Sequence, residues 1–202
     1  MKQLFFLIVL ALFAITITQK TGIVFAQETV VETDTPIGVD VQATQSAMDK
    51  SQRINYELPY PGMLPDNPLY ILKVIRDGIV KFLINDSLKK AQFSLLVAEK
   101  RMYAGKLLVE KNKDQLAVST ISKSNNYLDE SLIAIRMVKK ENPKSPDVKL
   151  FLQQFKSATL KHLEIARDIK PSIDKNVLDQ FIKQEQRIQF YEKTAENLLK
   201  QR

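Results

Sequence analysis

Few side chains in this sequence are suited to chemistry, and they are scattered. The chain has 202 residues, no Cys and one His, so thiolate chemistry, disulfides and multi-His metal sites are excluded. His162 lies between Ala158 and Ile165 on the apolar stripe of a predicted helix, where a packed histidine is the expected interpretation. The nearest carboxylates, Glu164 and Asp168, fall off that stripe. We therefore expect His162 to be structural.

Glycines and carboxylates give no catalytic pattern either. The five Gly residues occur singly, whereas phosphate-binding loops need several close together. The acids stand among Lys and Arg on predicted wet helix faces, which favours solvated ion pairs over a paired-carboxylate active site. The sequence predicts a protein that is not an enzyme and that has no cofactor and no metal.

The N-terminus has the pattern of a secretory signal. A short positive start, Met1-Lys2-Gln3, precedes an apolar run over 4–18, and Val24-Phe25-Ala26 offers a cleavage site after Ala26. A run of about 15 residues is short for a spanning helix, which needs about 20. We predict a signal peptide over 1–26 and an extracytoplasmic protein. The alternative is an uncleaved membrane anchor, with Gln19 and Lys20 inside it.

Charge divides the remaining chain. Residues 27–55 are predicted to form a flexible acidic linker, because they lack a helical apolar stripe and are rich in acids, Thr and Gln. Residues 54–202 carry 26 Lys and Arg against 18 Asp and Glu, a net charge of +8. That excess favours an anionic neighbour. The candidate basic face for anionic lipid or cell-wall polymer comprises Lys89, Lys90, Lys100, Arg101 and Lys106. The alternative is an ordinary solvated surface, and no nucleic acid is expected as a partner.

A Pro-rich segment over 58–70, here called the collar, reads LPYPGMLPDNPLY. Its four prolines fix φ repeatedly, so neither a helix nor an interior strand can run through it. The collar either forms an amphipathic docking surface for an unknown protein or envelope component, or folds back and closes the open end of the bundle. The candidate docking residues are Tyr60, Pro61, Gly62, Leu64, Pro65 and Tyr70.

Five helices are predicted after the collar, from spacings of three and four residues between apolar side chains. We expect them over about 68–85, 86–112, 114–141, 145–170 and from 172 to the C-terminus. Asp66 or Asn67, Asp86 and Ser145 are suited to cap their starts. The fold class is all-α, an up-and-down bundle over 56–202.

Small residues recur every seven positions in the second and third of these helices. Ala91, Ala98 and Gly105 in one match Ala117, Ser124 and Ser131 in the other. Small side chains let two helices approach closely, so the pair is predicted to pack antiparallel. Polar residues at 124–126 either form a buried hydrogen-bonded layer or face water.

The collar and the helix after it resemble a known family. The residues that carry the resemblance are the string from Tyr60 to Tyr70, followed by Leu72-Lys73, and the run Lys89-Lys90-Ala91 through Leu95, Ala98, Glu99 and Arg101. This pattern resembles the bacterial domain-of-unknown-function 5667 family over about 58–141. The resemblance implies a helical protein that is secreted or attached to a membrane, and it implies no activity.

Taken together, these patterns predict a non-enzymatic extracytoplasmic interaction module that binds a protein or another envelope component. The alternative is electrostatic attachment to anionic lipid or polymer through the basic helix faces.

Overall fold

The computed structural model describes residues 54–201. The predicted signal peptide and nearly all of the predicted linker lie outside these described residues. Between 54 and 201 the chain forms five α-helices and no strand, which confirms the all-α fold class. None of these helices is both long enough and apolar enough to cross a membrane.

The helices follow one another with short connections. They are α1 (Tyr70–Leu83), α2 (Ser87–Glu110), α3 (Asp114–Glu141), α4 (Pro146–Ile169) and α5 (Lys175–Lys200), with a 3-10 turn at Lys170–Ser172 before α5. The predicted bounds hold within a few residues. The last helix begins three residues later than expected, because Pro171 sits in the 3-10 turn and Asp174 is the N-cap.

The helix ends explain these bounds. The Asp86 carboxylate accepts a hydrogen bond from the backbone N–H of Lys89 at 2.7 Å and starts α2 as predicted. Asn67 accepts from the Leu69 N–H at 2.9 Å, just before α1. Ser145 occupies the N-cap position of α4 but its side chain makes no capping bond. Asn112, at φ +56, turns the chain between α2 and α3.

Helices α2 to α5 bury the core, which consists of two apolar clusters stacked along the bundle. The first cluster includes Leu95, Leu128, Phe155 and Tyr191, one residue from each of the four helices. The second cluster draws on the same four helices: Met102, Leu108, Ile121, Ile165, Phe181 and Ile188. In contrast, α1 has no buried residue, so the apolar stripe that predicts it does not belong to the core.

The predicted antiparallel pairing of α2 and α3 is confirmed at atomic contact. The Ser124 hydroxyl donates to the Ala98 carbonyl at 2.7 Å, and the Ser131 hydroxyl donates to the Ala91 carbonyl at 2.8 Å. One heptad further along α2, a Cβ added to Gly105 would lie 2.5 Å from Ile121 Cγ1. Each step of seven along α2 therefore meets a step of seven back along α3.

This close approach makes Gly105 a sensitive position. We expect Gly105→Ala to lower the free energy of unfolding by about 1–3 kcal/mol, because the clash with Ile121 outweighs the gain in helix propensity. Gly78→Ala in α1 is the matched control, since its added Cβ would have no atom within 4 Å. Urea denaturation of both variants checks this. Equal or improved stability for Gly105→Ala would contradict the close approach of α2 and α3. The double variant Gly105→Ala with Ile121→Ala should lose less free energy of unfolding than the two single variants lose in sum, because the shortened side chain at 121 removes the clash.

Candidate functional site

The one histidine is packed, as expected. His162 is fully buried on α4, between Ala158 of the first cluster and Leu163 of the second. Neither ring nitrogen has a hydrogen-bond partner among residues 54–201. Burial lowers the pKa of the imidazole from its ordinary 6.5 to about 3. Across the same part of the chain, no three His, Asp or Glu side chains are grouped to hold a metal ion.

The polar residues of α3 divide between the two predicted alternatives. Ser124 and Asn125 are buried, while Asn126 is exposed. The Asn125 amide donates to the Gln184 carbonyl of α5 at 3.0 Å. Asn126 accepts from Arg187 at 2.9 Å at the surface. The buried pair joins α3 to α2 and α5 and fixes the register between helices.

The segment leading into the collar crosses the bundle. The Ile54 N–H donates to Glu164 of α4 at 2.8 Å, and the Tyr56 hydroxyl donates to Glu99 of α2. Burial raises the pKa of Glu99, and the bond from Tyr56 opposes that rise. Burial is also the main reason that the pKa of Tyr56 is raised, with Glu99 adding to the effect. Leu58 then packs against the second cluster.

The collar itself runs to the end of the bundle where α2 turns into α3. There Asp66 binds Lys111 at 3.1 Å and Lys113 at 2.8 Å, and these two lysines hold the pKa of the Asp66 carboxyl below its usual range. The ion pairs fasten the collar to the α2–α3 turn. Folding back onto the bundle is thus the arrangement adopted, and it leaves part of the collar surface open.

The six candidate docking residues are placed unequally. Tyr60 is 72% exposed and stacks edge-on against Tyr103, with ring centroids 6.3 Å apart. Gly62 is exposed at φ +67, a left-handed conformation that favours glycine. Pro61 is buried, and its carbonyl accepts from Lys73 at 2.6 Å. The other three are half-buried: Leu64, Pro65 and Tyr70.

A chain of cations and aromatic rings fixes the orientation of α1. The guanidinium of Arg101 donates to the Tyr70 hydroxyl at 3.1 Å and lies 4.9 Å from the centre of the Tyr127 ring. Lys81 lies 5.3 Å from the centre of that same ring and binds Glu130 at 2.6 Å. We call this set of five residues the ladder; it links α1 with α2 and α3.

The ladder turns the polar side of α1 toward the bundle. The half-buried residues of α1 are Tyr70, Lys73, Val74, Asp77 and Lys81, which share one face at helical spacing. The opposite side carries six apolar side chains that are between 47% and 84% exposed. We call it the outward stripe: Ile71, Leu72, Ile75, Ile79, Phe82 and Leu83.

The five residues of the candidate basic face do not form one surface. Lys89 and Lys90 are exposed, Lys100 and Lys106 are partly covered, and Arg101 is 7% exposed. Placing Arg101 on an exposed face was wrong, because the ladder engages its guanidinium between two tyrosines. The exposed pair, Lys89 and Lys90, lies at the start of α2, next to the end of α1.

Comparison with known proteins supplies the family. A family model described as "Domain of unknown function (DUF5667)" matches residues 62–201. The chain belongs to this family. The matched region reaches well beyond the 58–141 expected from the sequence, so in this DUF5667 chain α4 and α5 are part of the family domain. No curated protein and no solved structure shows significant similarity to the chain.

Two features of the structure were not predicted from the sequence. One is the buried Glu99, whose partner Tyr56 is 43 residues away. The other is the outward stripe, because the periodicity of α1 reveals an apolar face without revealing what it faces. The available signal was the second periodic set on α1, in which Tyr70 meets Arg101, and Lys81 meets Tyr127 and Glu130, on the neighbouring helices.

The buried imidazole generates a prediction about acid stability. The unfolded chain protonates His162 near pH 6.5, whereas the folded chain resists protonation until about pH 3. Stability therefore falls as the pH drops from 6.5 toward 3, by about 1.4 kcal/mol per pH unit for this group. His162→Leu removes the imidazole at similar volume and should flatten the curve. Urea midpoints of both proteins between neutral and acidic pH test this, and parallel pH curves would contradict it.

The Tyr56–Glu99 contact generates a second prediction. Tyr56→Phe leaves the buried carboxylate without its donor, so we expect a loss of about 2 kcal/mol in the free energy of unfolding at neutral pH. The loss should shrink on acidification, because protonated Glu99 no longer needs that donor. Tyr60→Phe, on the most exposed collar ring, is the control and should stay within about 0.5 kcal/mol of the unaltered protein. Equal effects from both variants would show that the hydrogen bond stabilises nothing.

Proposed function

We propose that this DUF5667 protein is a non-enzymatic extracytoplasmic interaction module that binds a protein or another envelope component through α1. The observation that carries the proposal is the outward stripe, an apolar helix face that the bundle leaves uncovered. Large contiguous apolar patches on a protein surface mark interaction sites, whereas single exposed apolar residues are ordinary. The stripe is a patch of this kind, because it has six exposed apolar residues on one helix face.

The way α1 is held supports this role. Its contacts with α2 and α3 run through the ladder, and Lys73 adds bonds to the collar carbonyls of Pro61 and Met63 at 2.6 and 3.4 Å. These directional contacts hold α1 by its polar face, so the stripe stays exposed. The collar also helps to hold α1 in place, because Asp66 binds the collar to the α2–α3 turn. A mobile helix would lose more conformational entropy on binding than this anchored one.

A second candidate function is electrostatic attachment to anionic lipid or cell-wall polymer. Lys89 and Lys90 favour it because they are exposed. Lys90 also lines an open hollow with Lys81 and Phe82, where two cations are close together. Binding through charges alone weakens steeply with salt, whereas binding through the stripe persists. Salt dependence therefore separates the two candidates.

The proposed location is extracytoplasmic, from the signal pattern of residues 1–26. Those residues lie outside the part of the chain that the structure describes, so the support is the sequence pattern alone. Cleavage after Ala26 leaves Gln27 as the first residue, and retention of Met1 would make the module membrane-anchored.

One in-cell experiment tests function and location together. A photo-crosslinking residue replaces Ile75 on the stripe, and in a control it replaces Leu150, an exposed leucine on α4. The protein is recovered by a C-terminal tag across a salt series, and its N-terminal mass is read. We expect one recurring, salt-resistant adduct at position 75, none at position 150, and a chain that starts at Gln27.

Other outcomes count against the proposal. The same adducts at both positions would remove the stripe as the binding surface. Adducts that vanish at high salt would favour the electrostatic candidate. A cytoplasmic chain starting at Met1 would refute the extracytoplasmic location.

A further inference from the structure

The geometry points to an anionic lipid bilayer surface as the partner of α1, with the outward stripe lying in the interface and the basic residues around it on the headgroups. This inference rests on the proposed function and names its partner. It is argued from the shape, the chemistry and the charge of the stripe.

The stripe has the shape of an interfacial helix. From Ile71 to Leu83 it spans about 18 Å at 1.5 Å per residue, too short to cross a bilayer and long enough to lie along one. At 100° per residue the six apolar side chains occupy one arc on the side opposite Tyr70. They form a convex ridge, since the inward side of α1 is the side held by the ladder.

The chemistry of the stripe favours lipid over protein. All six side chains are aliphatic or phenyl groups, so the arc offers no hydrogen-bond donor or acceptor. Protein interfaces carry about one hydrogen bond per 100–200 Å², and the stripe has no side chain to supply one. Insertion into the boundary between headgroups and acyl chains needs only apolar area.

Charge selects the kind of lipid. Residues 70–90 contain five bases and two acids, so the balance is positive with both acids counted. Asp77 pairs with Arg76 at 2.8 Å, and Asp86 caps α2. Arg76 stands at the margin of the stripe with its side chain 62% exposed, and Lys90 lines the hollow beside Phe82. The surroundings of the stripe are therefore positive, which suits anionic headgroups.

The chain has no Cys, so a single introduced thiol carries one label without side reactions. Leu72→Cys on the stripe and Leu150→Cys on α4 are matched leucines, 61% and 67% exposed. Each is labelled in the full chain with a polarity-sensitive fluorophore and mixed with phosphatidylglycerol-containing or pure phosphatidylcholine vesicles. Because both labelled chains keep residues 4–18, the comparison between positions 72 and 150 separates contact of the stripe with lipid from membrane attachment through that segment.

We expect a blue shift at position 72 with the anionic vesicles, quenching there by lipids that carry a nitroxide on the acyl chain, and neither effect at position 150. The shift should be weaker with phosphatidylcholine. Arg76→Gln and Lys90→Gln should each raise the anionic vesicle concentration needed for half of the shift, by about five-fold per charge. Ile79→Cys repeats the test if the Leu72 variant does not fold, as judged by circular dichroism.

Four results would overturn the inference. The first is no shift at position 72 with either vesicle, and the second is equal shifts at positions 72 and 150. The third is a shift at position 72 without vesicles that grows with protein concentration. The fourth is a label at position 72 that is already shielded from water, without vesicles, at high dilution. The third would assign the stripe to a second copy of the chain and the fourth to another segment of the same chain.

The two proposals fail separately. A specific protein adduct at position 75 in cells, without a vesicle shift at position 72, would refute the lipid inference and leave the interaction module standing. Absence of both signals would refute both.

Discussion

The close approach of α2 and α3 is the constraint on which the rest of the structure depends. Serine hydroxyls bonded to the carbonyls of Ala98 and Ala91, together with the bare backbone at Gly105, bring the two helices into contact over their length. Larger side chains at these positions would separate the helices. Once the pair is in register, its two sides present fixed surfaces, one for α4 and α5 and the other for the collar and α1.

The register of that pair also positions the ladder. Arg101 is on α2, and Tyr127 and Glu130 are on α3, so the three stand together only because the helices run antiparallel at this spacing. Their side chains bind the polar face of α1, through Tyr70 and Lys81, more readily than they would an apolar one. The consequence is an amphipathic helix whose apolar side points away from the core, reversing the usual arrangement of a surface helix.

Buried polar groups give the bundle opposite responses to acid. Burial lowers the pKa of His162 and raises that of Glu99, so acidification destabilises the fold through the first and relieves the cost of a buried carboxylate at the second. Both side chains lie in the interior of the bundle. The surface of this DUF5667 domain presents, by contrast, the apolar face of α1, with exposed Lys89 and Lys90 near its end.

The sequence alone determined the all-α class, the five helices and the seam between α2 and α3, because apolar spacing and small residues every seven positions act through local geometry. It also identified His162 as a packed residue and the collar as a segment without helix or strand. Only the tertiary structure decided which face of α1 is exposed, that Arg101 is buried, and that Tyr56 meets Glu99. The physical reason is that a periodic pattern fixes which residues share a face, whereas the partner of that face depends on residues far away in the chain.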